Sequence, residues 1–108
     1  MFISVRKYRN VRSVAEVRRR VEEEFLPQLK RNPGFLAYHL IDCNSPDSGN
    51  ILTAISIFDT WEAVLASNAS AKDFVRHRLA DLLPEPADAV GGEVILSAGQ
   101  VPSPAAAR

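Results

Sequence analysis

Between Ile51 and Leu83 the apolar residues change period without a gap, and few folds accommodate that change. In ILTAISIF they alternate, with Ile51, Thr53, Ile55 and Ile57 on one side and Leu52, Ala54 and Phe58 on the other, the two-residue period of a strand. Beyond Phe58 the period becomes three to four. Asp59 and Thr60 offer side-chain oxygens to cap a helix, and Trp61 and Glu62 open it with an aromatic anchor and a carboxylate suited to a helix N-terminus. A pocket is expected at this strand-to-helix corner. Ser67-Asn68-Ala69 predicts a break in the helix, with Ser70 and Asp73 forming a second cap before Phe74, Val75, Leu79, Leu82 and Leu83, and Pro84-Glu85-Pro86 ending it.

The residues before this stretch supply one more helix and two more strands. Phe2 to Asn10 alternates Ile3 and Val5 against Phe2, Ser4, Arg6 and Tyr8, a strand that is apolar on both faces. Ser13 and Glu16 have capping-box spacing, and Val14, Val17, Val21 and Phe25 then recur at helical spacing with charged residues on the outer arc. Pro27 removes one helical donor, so a kink is expected near Phe25, and Asn32-Pro33-Gly34 ends the segment. Phe35 to Cys43 and Asn50 to Phe58 form a hairpin across the turn formers Asn44 to Gly49. After Gly91-Gly92, Glu93 to Ala98 reads as a fourth strand. Residues 1–99 are therefore one domain and 100–108, QVPSPAAAR, a mobile tail.

A chain of 108 residues, 46% hydrophobic and 24% charged, has material for one core. Net charge is zero, yet nine of the thirteen basic residues fall within the first 31 positions. They interleave with apolar residues at strand and helix spacing, which describes a solvated face and not a nucleic-acid arm. Nothing approaches the roughly 20 apolar residues of a membrane span, and the start of the chain has no apolar signal core, so a cytoplasmic location is the default expectation. Cys43 is the only cysteine, which rules out an internal disulfide; a metal would rest mainly on His39 and His77, so no metal site is expected.

Strand, helix, strand, strand, helix, strand in about 100 residues is the ferredoxin-like βαββαβ arrangement, an α+β fold with a four-stranded antiparallel sheet and both helices on one face. Apolar residues on both sides of its strands carry a second implication. Two helices cover one sheet face, and the other would leave an apolar patch larger than a monomer tolerates. A homodimer with two sheets packed face to face is therefore expected. Parity alone does not say whether the Ile55 face or the Leu52 and Ala54 face meets the partner.

Over roughly residues 2–98 the chain resembles the dimeric α/β-barrel superfamily, in particular its antibiotic-biosynthesis-monooxygenase-like proteins. The likeness is carried by Asn32-Pro33-Gly34-Phe35, Phe58-Asp59-Thr60-Trp61-Glu62-Ala63, Phe74-Val75-Arg76 and Gly92-Glu93-Val94. The resemblance implies a dimer with a cavity in each subunit between sheet and helices. Characterised relatives use that cavity to oxidise polycyclic phenols to quinones with molecular oxygen, without metal or flavin; others degrade haem, isomerise small molecules or have no assigned activity. Haem-degrading relatives carry an asparagine on strand one and a tryptophan ten residues before a helix-two histidine. Here His77 fits the last position, but Ser67 stands ten before it and Arg6 is the strand-one counterpart, which argues against haem degradation. The asparagine and tryptophan arrangement of the quinone-forming enzymes is not present either.

Candidate site residues follow from side-chain chemistry. His77 reads first as a half-exposed surface histidine, with a general base toward a phenol as its functional alternative. Arg78 falls in the apolar arc of helix two, where a guanidinium snorkels, pairs with a carboxylate or binds an anionic substrate oxygen. Trp61, Phe58, Tyr8, Tyr38 and Phe74 are candidates to line an aromatic-ligand pocket, with ordinary core packing as the competing role. His39 reads as a core or interface histidine. The expected function is binding, or cofactor-independent oxidation, of a small phenol- or quinol-type molecule; the alternative is a non-catalytic binding or structural module.

Overall fold

The computed structural model describes residues 1–44, 46–47 and 49–99, and the proposed tail at 100–108 lies outside them. The chain runs β1 (Phe2–Tyr8), α1 (Val14–Arg20), a π segment (Val21–Phe25), α2 (Leu26–Leu29), β2 (Phe35–Asp42), β3 (Leu52–Phe58), α3 (Trp61–Arg78) and β4 (Asp88–Glu93). The four strands form one antiparallel sheet in the order β2-β3-β1-β4, the expected ferredoxin-like α+β topology.

Local chemistry accounts for most boundaries. The Ser13 hydroxyl accepts from the Glu16 backbone N–H at 3.2 Å and starts α1, but the Glu16 carboxylate turns to Arg19 and Arg20 and does not return to close the box. Val17, Val21, Phe25 and Leu29 are all buried, a repeat of four. An α-helix turns about 100° per residue, so such a stripe drifts by about 40° at each step. The π segment at Val21–Phe25 holds more residues per turn and removes part of that drift, keeping the stripe on the sheet. Pro27, in the first turn of α2, lacks the donor that a continuous α-helix would need there. The chain then reverses at Gly34 with φ +85°, a glycine conformation, where a Cβ would also collide with the Asp59 carboxylate.

Burial shows which sheet face lies under the helices. On β3, Leu52, Ala54, Ser56 and Phe58 are buried under the helices, and the Ser4 hydroxyl of β1 donates to Asn68 Oδ1 of α3 at 2.7 Å. The opposite face carries Ile3 and Val5 of β1, Ala37, His39 and Ile41 of β2, Thr53, Ile55 and Ile57 of β3, and Val90 of β4. Among the described residues no helix covers this outer face, and Val90 is 67% exposed.

Three expectations are corrected. The second helix is one uninterrupted element, Trp61–Arg78; Ser67 is buried against the sheet, Asn68 accepts from Ser4, and Ser70 lies exposed inside the helix and caps nothing. That helix also stops well before Pro84, with Leu79 to Leu83 following in tight turns. The fourth strand is Asp88–Glu93, not Glu93 to Ala98: Gly91 pairs with Ser4, and Ile95 and Leu96 continue beyond the sheet at 91% and 86% exposure.

Candidate functional site

Small side chains meeting small side chains make the site. Ser67 and Ala71 of α3 face Ala54 and Ser56 of β3, and the volume they leave opens a cavity between helix and sheet. Phe25, Phe74, Tyr8 and Tyr38 wall it, with Val21, Val75, Leu79 and Leu83 closing the apolar end. The Phe25 and Phe74 rings pack at 5.1 Å between centroids, and Phe25 meets Tyr38 edge-on at 6.3 Å. The open volume is small, about 30 Å³, room for water and not for a ring unless the aromatic walls move.

Polar groups on this wall are few. Arg6 of β1 reaches the cavity, and its Nε donates to the Tyr8 hydroxyl at 2.9 Å. Burial pushes the Tyr38 hydroxyl above the ordinary phenol range and nearby Tyr8 adds to this, while Arg6 acts the other way; Tyr38 thus remains a protonated donor. Ser56 and Ser67 bring two hydroxyls. No Asp, Glu or His lines the cavity among the described residues.

Beside the cavity lies a wider vestibule of about 410 Å³, which shares Arg6, Tyr8 and Val75 with it. Its other walls are Lys72 and Arg76 of α3 and Pro86, Ala87 and Ala89 leading into β4.

The residues singled out from sequence fall in three places. Tyr8, Tyr38 and Phe74 meet at the cavity. Phe58 is fully buried and packs edge-on against Phe35 at 6.0 Å, in the core beneath the corner and apart from the cavity. Trp61 sits at the start of α3, 38% exposed, against Phe2 at 6.0 Å and over Gly91, where a Cβ would lie 3.4 Å from the indole. His77 and Arg78 are both exposed at the end of α3: His77 Nδ1 is 2.9 Å from the Asp73 carbonyl oxygen, and Arg78 Nε donates to Glu24 at 2.6 Å. Neither lines the cavity. His39 is exposed on the outer sheet face between Ala37 and Ile41, opposite Ile55. Among the described residues no group of three or more His, Cys, Asp or Glu side chains is placed to hold a metal ion, and no helix is long and apolar enough to cross a membrane.

No family model matches the sequence, and none of the curated proteins does. Solved structures do. A candidate antibiotic biosynthesis monooxygenase from Nitrosomonas europaea superposes with a TM-score of 0.67 at 16% identity, covering 91% of this chain and 93% of its own. The monooxygenase ActVA-Orf6 of Streptomyces coelicolor, in complex with nanaomycin D, gives 0.65 at 17% identity over 94% and 92%. A mutant of MhuD with two manganese protoporphyrin IX molecules bound per active site gives 0.66 at 19% identity over 93% and 100%. The chain shares its fold with these proteins.

Within that fold, sequence reasoning missed Arg6, Ser56, Ser67 and Lys72. A signal was present: four small residues, Ala54, Ser56, Ser67 and Ala71, occupy sheet-facing and helix-facing positions where a filled core would place Leu or Ile. Read as helix breakers, Ser67 and its neighbours concealed the gap they create.

Proposed function

We propose that this chain is a small-molecule-binding protein of the monooxygenase-like class, taking a phenol- or quinol-type aromatic at the cavity and its vestibule and oxidising it with molecular oxygen. The observation that carries this reading is an apolar, aromatic-walled cavity into which Arg6 and the Tyr38, Ser56 and Ser67 hydroxyls bring hydrogen-bond donors. Such donors hydrogen-bond the oxygen of a bound phenol and favour its phenolate, the electron-rich form that reacts with oxygen, against the burial that keeps Tyr38 protonated. For an anthrone the balance is one O₂ consumed, one ring methylene converted to a carbonyl and one water released. Nanaomycin D bound to ActVA-Orf6 supports a small-molecule ligand for this fold. The missing Asp, Glu and His leave proton removal to the substrate's own acidity or to solvent. That same observation favours the second reading, a non-catalytic binding module.

We further propose that the working form is a homodimer through the outer sheet face. The exposed Val90, Ile95 and Leu96 and the uncovered Ile55 face support it, since an apolar area of this kind is normally covered. Oxygen uptake by metal-free protein with a panel of hydroquinones and anthrones tests the enzymatic reading. Turnover that falls in Arg6→Gln and Tyr38→Phe supports oxidation at this site, saturable binding without uptake supports the module, and absence of both defeats the ligand reading.

A further inference from the structure

We propose that the molecule taken by this site carries a carboxylate, held at the mouth by Arg6, Lys72 and Arg76, with its aromatic body against Val75 and Pro86. This rests on the reading of the cavity and vestibule as a ligand site and names the charge of what enters. Three cations line one vestibule, and the described residues supply little to balance them. Arg6 is half-buried and donates to the Tyr8 hydroxyl; among the described residues no carboxylate pairs with it or with Lys72. Arg76 pairs with Asp73 at 2.8 Å on the solvent side of its own helix. Asp88, the acid nearest in sequence to Ala87 and Ala89, is taken by Arg9 at 2.8 Å.

A half-buried guanidinium without a counter-ion has lost part of its hydration with only the Tyr8 hydroxyl and ring in return, and a ligand carboxylate that accepts two of its N–H groups offsets that loss. Lys72 and Arg76 add attraction at longer range, the arrangement that raises both the arrival rate and the residence of an anion. The apolar walls exclude a bare inorganic ion as the best occupant. The vestibule volume of about 410 Å³ matches a molecule of one to three rings. The inner cavity then receives only a small polar end of it, consistent with its size.

The test is calorimetric titration of the full chain with a matched pair of probes, 6-hydroxy-2-naphthoic acid and its methyl ester, at low and at high salt. The acid is expected to bind roughly tenfold more tightly than the ester. Added salt should shrink the advantage, and Arg6→Gln should remove most of it. Because Arg6 is half-buried, the exposed pair Lys72→Gln with Arg76→Gln provides the variant that leaves the fold undisturbed; it should weaken acid binding and leave the ester unchanged. Equal affinity for acid and ester overturns the proposal, as does an acid preference untouched by both variants. Binding of neither probe overturns it together with the ligand reading. Acid preference without oxygen uptake upholds the charge assignment and removes only the oxidation.

Discussion

Arg6 Nε donates to the Tyr8 hydroxyl at 2.9 Å, and the guanidinium lies 5.8 Å from the centre of the Tyr8 ring, so one buried tyrosine on the same strand face aims the one cation that lines the cavity among the described residues. Tyr8→Phe keeps the ring and removes the acceptor. A loss of about 1 kcal/mol in stability is expected. Ligand affinity should fall with it, because Arg6 becomes free to turn to solvent. Chemical denaturation and titration with an aromatic acid measure the two effects; unchanged affinity would separate Arg6 from ligand binding.

Ala71 faces the open volume from α3. Ala71→Leu adds three carbons where about 30 Å³ is open, so the core is overpacked at a cost of about 1–3 kcal/mol. The chain should remain folded by circular dichroism and lose its ligand. Retained binding would place the ligand wholly in the vestibule.

Surface ion pairs predict the acid limb of stability. Hydrogen bonds from Arg19 and Arg20 hold the Glu16 carboxyl down to about 2, and pairing with Arg78 and with Arg20 lowers Glu24 and Asp81 from their ordinary values. A folded-state value below the unfolded one means that the contribution is fully present above the ordinary carboxyl value of 4.5 and is lost as pH falls toward about 2. The groups are on the surface, so the effect is modest and salt weakens it. The denaturation midpoint should decline through that window, and Arg20→Gln, which removes a partner of both Glu16 and Asp81, should flatten the decline.

What could be read from sequence was whatever local period determines: the element order, the Ser13 and Thr60 caps, the glycine reversal at Gly34 and the two-sided strands. What could not was decided by tertiary contact. Ser67 and Asn68 have modest helix propensity, yet burial of one against the sheet and the bond of the other to Ser4 hold them in the middle of α3. DAVGGE has the composition of a loop and VILSA that of a strand, but Gly91 fits against Ile3 and Trp61 where a side chain would crowd, so the glycine segment takes the edge of β1. The tyrosines and Phe74 were visible as aromatics at apolar positions. Arg6 was not, because strand parity places it on the inner face without saying that the space there is open.

The outer sheet face gives the most direct test of assembly. Ile55 pairs with Val5 on β1 and with His39 on β2, near the middle of the face that no helix covers, whereas Leu52 and Ala54 lie beneath the helices. In a homodimer through this face, Ile55→Asp buries an unpaired carboxylate between two sheets, which costs several kcal/mol, about what an isolated buried charge costs after relaxation. Association should be lost while the helical and strand signals remain, because in the monomer the side chain at position 55 reaches solvent and disturbs no helix contact. Ala54→Asp, one residue away, should unfold the chain instead, since Ala54 is buried against the cavity wall. Analytical ultracentrifugation of the wild-type chain comes first. A stable monomer at micromolar concentration would remove the partner from the account and leave the apolar outer face unexplained.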